Sequence, residues 1–298
     1  MKLKFWGTRG SIPTPGRHTV RYGGNTPCVE LRLNKDDLII LDAGTGIRNL
    51  GDSIMESGAS IKAYVLITHP HWDHIQGFPF FKPAFISGNE LTLMGSESEK
   101  ITLRRIVSDQ MNKIYFPIQL NELKATLKFH PIDEEEVQVF DAKVQTIHVN
   151  HAAFCLGFRV NRGGKSVVYI SDNEPFDRQN AEMMTNVEPP VVEKFKNTKG
   201  DPNQRIFDFV KNCDVLIHDA TYTPEEYVDR VGWGHSHYLF SLKVAAEGNV
   251  NQLILFHHEP SHGDSKVDDI VAKCRKEIKH RGYGFECFAA AEGMEIEF

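Results

Sequence analysis

Between residues 69 and 74 the chain reads His-Pro-His-Trp-Asp-His, which puts three imidazoles and one carboxylate within six residues. His69 and His71 are two apart on an irregular loop, so both rings can turn toward one ion. Asp73 and His74 follow and can reach a second ion beside it. A nitrogen-rich set of this kind suits zinc or a similar divalent metal. An imidazole at position 71 leans toward zinc-type chemistry, where a harder carboxylate would lean toward redox iron. The chain has fourteen histidines in 298 residues, and most read as solvated or hydrogen-bonded side chains. His18, His130 and His280 belong to that majority, because none stands beside acidic or histidine neighbours in a loop after a buried strand.

The elements that must position this cluster come next. Ala63–Ile67 is an apolar run that reads as a buried strand and leads into Thr68-His69. Three other apolar runs end in the same way: Val144–Val149 before Asn150-His151, Val167–Ile170 before Ser171-Asp172, and Gln252–Phe256 before His257. Sites gather at strand ends, where loops are held by a rigid scaffold. Four such ends predict one convergent cluster. Further strands are expected at 3–6, 28–33, 38–41, 157–160 and 215–217, with helices over 99–113, 238–248 and 265–280. Asn161-Arg162-Gly163-Gly164 reads as a hairpin turn. Residues 174–210 are polar, contain prolines and read as an inserted segment with helical pieces. No repeat or linker interrupts the chain, so one domain over 1–298 is expected.

Composition narrows the partners. Hydrophobic residues make up 41% and charged residues 25%, the balance of a globular protein with a substantial core. A formal net charge of -6 argues against long nucleic acid, whose binding rests on phosphate neutralisation by a basic face. The five cysteines, Cys28, Cys155, Cys213, Cys274 and Cys287, form no C-x-x-C pair and read as buried free thiols in a reducing compartment. No signal-peptide core opens the chain and no stretch approaches a membrane span, so a cytoplasmic protein without membrane contact is expected.

His69-x-His71-x-Asp73-His74 after a buried strand resembles the signature of the metallo-β-lactamase superfamily. Leu41-Asp42-Ala43-Gly44, His151 ahead of Gly157-Phe158-Arg159, Tyr169-Ile170-Ser171-Asp172 and Leu255-Phe256-His257 resemble its other segments in order. The resemblance implies an α/β fold, a four-layer αββα sandwich. It also implies two divalent ions, zinc before manganese: His69, His71 and His151 on one, Asp73, His74 and His257 on the other, and Asp172 bridging. His148 and His258 are the rivals to His151 and His257.

Gly7-Thr8-Arg9-Gly10-Ser11, His218-Asp219-Ala220-Thr221 and Gly234-His235-Ser236 resemble segments of the phosphodiesterase branch that includes ribonuclease Z. Aspartate replaces a glutamate at 219 and His237 replaces a threonine. That enzyme has a long arm for gripping tRNA between its third ligand segment and its bridging aspartate. Here Phe158 to Ser171 leaves room for one hairpin, which brings the resemblance nearer to cyclic-nucleotide phosphodiesterases of the same fold. The implied reaction is attack of a metal-bridging hydroxide on a small phosphodiester, with Asp73 at the reacting centre and His235, oriented by Asp219, as general acid. Arg9, Ser11 and Asn25 are candidates for the substrate side, and Tyr115, Phe116 and Trp233 for base stacking. A homodimer is expected by analogy. The alternatives are an RNase that processes tRNA 3′ ends, a thioester or lactone hydrolase, and a non-enzymatic nucleotide sponge or scaffold.

Overall fold

The computed structural model of the chain describes residues 1–98, 101–151, 154–177 and 189–298. The chain forms two compact units, each assembled from separated stretches. The first comprises Met1–Pro15, Gly23–Asp133 and Ala291–Phe298, and the second Gly16–Tyr22 and Glu134–Ala290.

The first unit holds a seven-stranded sheet in the order β14-β1-β2-β3-β4-β5-β6. Its strands are β1 (Lys2–Gly7), β2 (Cys28–Arg32), β3 (Asp37–Leu41), β4 (Lys62–Ile67), β5 (Glu90–Gly95), β6 (Thr126–Pro131) and β14 (Glu295–Glu297). Pairing is antiparallel from β14 to β3 and parallel from β3 to β6. Parallel strands covered on both faces carry continuous apolar runs. Accordingly Leu38, Ile39, Ile40 and Leu41 of β3 and Val65 and Leu66 of β4 are wholly buried. Helix α1 (Gly46–Ser57) packs Ile47, Leu50 and Ile54 into this core, a stripe at helical spacing. It ends at Gly58, whose φ of 67° is the left-handed conformation that glycine adopts without a Cβ clash.

The second unit repeats the scheme with a seven-stranded sheet in the order β13-β12-β11-β10-β9-β8-β7. Its strands are β7 (Glu136–Val139), β8 (Ala142–His148), β9 (Leu156–Arg162), β10 (Lys165–Ile170), β11 (Val215–Asp219), β12 (Gln252–Phe256) and β13 (Glu286–Ala289). Strands β7 to β10 are antiparallel and β10 to β13 parallel. Val168, Ile170, Leu216, Leu253 and Leu255 join residues of the later helices in one core.

The expected strands are present, and β9 and β10 form the expected hairpin across Gly163 and Gly164. The helix expected at 99–113 runs only over Leu103–Asp109, and residues 99 and 100 lie outside the described chain. Two helices follow β10: α4 (Pro189–Lys196) and α5 (Gln204–Val210). Of the stretch read as an insertion, residues 178–188 are not described. Its end is no surface excursion, because Ile206, Phe207 and Val210 of α5 are buried in the core of the second unit. All five cysteines are free and buried, as expected. Among the described residues no helix is long and apolar enough to cross a membrane.

Candidate metal centre

In the first unit the histidine-rich segment follows β4 directly. Its last residues form a single helical turn, α2 (Trp72–Ile75), that buries Asp73 and His74. The ring of His69 lies 4.4 Å from that of His71 and 4.3 Å from that of His74, centroid to centroid. Nε2 of His74 is 3.2 Å from Oδ2 of Asp73. Asp42, the residue after β3, sits behind this group. Its carboxylate takes the Nδ1 side of His74 at 2.8 Å and the Thr68 amide at 2.8 Å. The Thr68 hydroxyl bonds to Asp42 at 3.0 Å and lies 3.0 Å from Nδ1 of His69. The Ser11 amide donates to Oδ2 of Asp73 at 2.8 Å. Such partners set the tautomer and direction of a ligating ring.

In the second unit a separate polar group stands at the C-terminal ends of parallel strands. Asp172 follows β10, Asp219 ends β11 and His257 follows β12; Asp219 lies in register with Phe256. Oδ2 of Asp172 is 3.6 Å from Nε2 of His151, 3.4 Å from Nε2 of His257 and 3.7 Å from Nδ1 of His235. Nδ1 of His151 donates to the Gly234 carbonyl at 2.7 Å, which turns Nε2 toward the carboxylate. His235 stacks on His257 with centroids 4.7 Å apart, and its Nδ1 lies 3.0 Å from Oδ2 of Asp219. Asp219, fully buried, also accepts from the Asn173 amide at 3.0 Å and the Thr221 hydroxyl at 2.7 Å. Burial pushes its carboxyl up, but His235 and His257 outweigh that and hold it below the usual carboxylate range.

One loop residue in each of these groups has a left-handed backbone without being glycine: Asp42 in the first unit with φ of 61° and His257 in the second with φ of 60°. Each is the first residue after a buried parallel strand, and such conformations persist where the surroundings over-determine them, often at functional sites.

Of the rival histidines, Nε2 of His258 donates to the Ala290 carbonyl at 2.8 Å, while the ring of His148 lies 6.2 Å from that of Phe154 and its backbone amide donates to Glu134. Of the substrate-side candidates, Arg9 is wholly buried and its Nε donates to the Gly23 carbonyl, so it serves the scaffold instead of a substrate surface. Asn25 is tied to Glu292 through its amide and its side chain. Ser11 is exposed and reaches Asp73 through its backbone. Tyr115 is exposed, Phe116 meets the ring of Phe80 edge-on, and Trp233 is exposed under the Arg230 guanidinium. The sequence reading assigned no role to Asp42, Thr68, Thr221 or Glu174. Asp42 and Thr68 stood in the sequence as polar residues directly after buried strands, and Thr221 as the end of His218-Asp219-Ala220-Thr221.

Residues 38–193, just over half of the chain, match the family model described as the beta-lactamase superfamily domain. The chain belongs to the metallo-β-lactamase superfamily. Its relatives include a ribonuclease Z of Picrophilus torridus, 25% identical over 291 residues that cover 88% of this chain and 87% of that protein. Among solved structures, the metallo-beta-lactamase fold protein YhfI from Bacillus subtilis aligns with a TM-score of 0.66 at 17% identity, over 100% of this chain and 98% of that one. Human tRNase Z, short form, aligns with a TM-score of 0.62 at 17% identity, over 100% and 99%. The expected α/β fold of the metallo-β-lactamase type is borne out, and the chain is a metal-dependent hydrolase, as its sequence led us to expect.

Proposed function

We propose that this member of the superfamily is a dinuclear metal-dependent phosphodiesterase that cleaves RNA in the manner of a tRNA 3′-processing endonuclease. One observation carries the reading: the His235–Asp219 pair, 3.0 Å apart beside Asp172, in a chain whose relatives are named ribonuclease Z along nearly their whole length. The proposed ligands are those the sequence implied: His69, His71 and His151; Asp73, His74 and His257; and Asp172 between the two groups. Their chemistry fits zinc ions, since His74 and His151 each have Nδ1 engaged by the scaffold and offer Nε2. When bound, the ions would supply an activated water and charge stabilisation for a phosphodiester.

The chain's own residues do the rest. Asp219 fixes His235 so that its outward nitrogen can give a proton to the departing oxygen. Asp42 and the Gly234 carbonyl keep the ligand rings from rotating. A thioester or lactone hydrolase would use the same ligands without needing the His235–Asp219 pair. A sponge or scaffold would be expected to have lost a ligand, and all seven residues are in the sequence.

A small phosphodiester, a cyclic nucleotide included, is the second reading. The β9–β10 hairpin favours it, because this short turn stands where an RNA-gripping arm would be expected. A homodimer in a reducing cytoplasm completes the proposal and is checked by light scattering and by fractionation.

The test is a metal assay followed by turnover of a precursor tRNA, cyclic AMP, cyclic GMP, an aryl phosphodiester and a thioester side by side. Precursor tRNA should be cleaved, and His235→Ala should slow that cleavage about 100-fold or more with metal retained. Cyclic-nucleotide turnover without RNA cleavage would select the second reading. Thioester turnover alone would sink both.

A further inference from the structure

Glu174 is buried two residues beyond Asp172, and nothing above uses it. It is 1% exposed, yet among the described residues no lysine or arginine is bonded to its carboxylate. The donors come from one short stretch, residues 227–234. Oε1 accepts from the Gly232 amide at 2.7 Å and the Tyr227 hydroxyl at 2.8 Å, and Oε2 accepts from the Gly234 amide at 2.8 Å. Its backbone faces the other way: the Glu174 amide donates to the Asn150 carbonyl at 2.7 Å, and the Asn150 side chain donates back to the Glu174 carbonyl at 2.9 Å. One residue thus ties the strand end that carries Asp172 to the loop before His235 and to the loop that carries His151.

We infer that Glu174 is a positioning residue: by clamping the Gly232 and Gly234 amides it aims the Gly234 carbonyl at Nδ1 of His151, and so sets that ring's tautomer and direction. The inference rests on the reading of His151 as a ligand. Gly234 leaves no slack for another arrangement. Its φ is 85°, and a Cβ built there would lie 2.3 Å from Nδ1 of His151, so the carbonyl and the ring are in tight apposition. His235 is the next residue, so the same clamp fixes where its backbone begins. A buried carboxylate with several backbone donors is a strong and directional anchor. Outer partners of this kind typically govern ligand affinity by about 10–100-fold.

Glu174→Gln separates positioning from bulk. The amide has one acceptor oxygen for three donors, and whichever way it turns, an NH2 group faces a glycine N–H. Metal affinity is measured by competition with a fluorescent zinc chelator, on the whole chain, for wild type, Glu174→Gln, Glu174→Asp, His151→Ala and Val267→Ala. Val267→Ala is a core control for lost stability away from the centre. The expected result is an affinity about 10–100-fold weaker in Glu174→Gln, a smaller loss in Glu174→Asp, which keeps both oxygens, and none in Val267→Ala at a matched drop in Tm. In metal excess, kcat should fall with KM unchanged. If His151→Ala weakens zinc binding and Glu174→Gln does not, the positioning role is overturned. If His151→Ala itself leaves zinc binding intact, the ligand reading fails, and this inference fails with it.

Discussion

At the scale of single residues, the centre divides into groups that present a donor and groups that hold the presenter. Asp42 is the clearest holder. Its carboxylate meets His74 and Thr68 from a left-handed backbone. Asparagine tolerates that backbone too, so Asp42→Asn changes charge and acceptor capacity without adding strain. It should fold and yet bind zinc about 10–100-fold more weakly, a shift that chelator competition would show; unchanged affinity would make Asp42 a mere turn residue. Legibility follows the same division. The histidines proposed as ligands could be read because they crowd within six residues at 69–74 or stand one or two residues after an apolar run, as His151 and His257 do. Asp42 and Glu174 could not, because a carboxylate behind an imidazole is recognised only once separate strands are side by side. The burial of Arg9 could not be read either, because the Gly23 carbonyl that its Nε meets comes from a separate turn of the chain.

At the scale of elements, the strands that bear the site were legible because parallel strands need unbroken apolar runs. The edge strands β6 and β7 were not, since each offers only two alternating apolar residues, Leu127 and Phe129 or Val137 and Val139, too short a run to stand out. A short helix supplies a test of its own. Helix α6 (Pro224–Tyr227) begins with a capping box in which Thr223 and Glu226 bond each other's amides. Glu226 also lies 3.0 Å from His262 and 3.3 Å from Lys266. Burial pushes its carboxyl up, but the Thr223 amide, His262 and Lys266 outweigh that and bring it down to about 2. A lowered folded-state value means that ionised Glu226 contributes stability above the ordinary 4.5, and that this is lost as pH falls toward about 2. Glu226→Gln keeps a capping side chain and removes the charge. It should cost roughly 0.5–1 kcal/mol at neutral pH and nothing near pH 2. Equal melting curves for the two proteins at neutral pH would refute this.

At the scale of the whole molecule, the sequence shows no linker because none exists to be seen. Each unit draws on stretches that the other interrupts, so composition does not change at a boundary. The net charge of -6 is an average and does not decide a partner by itself, because RNA contact needs only a local run of cations. The proposed RNA substrate therefore makes a prediction that the small phosphodiester does not. KM for precursor tRNA should rise steeply with added salt while KM for an aryl phosphodiester stays nearly flat, and parallel salt profiles would count against the RNA reading.

The pairing of β1 with β14 has a consequence in time. Among the described strands β1 is made first, and its partner on one side, Glu295–Glu297, is made last. Until then β1 is an open edge, and Lys2 and Lys4, later paired with Glu295, are the charges that discourage a stray strand from docking there. Released chains truncated before residue 295 should thus keep a hydrogen-bonded second sheet and have a first sheet one strand short.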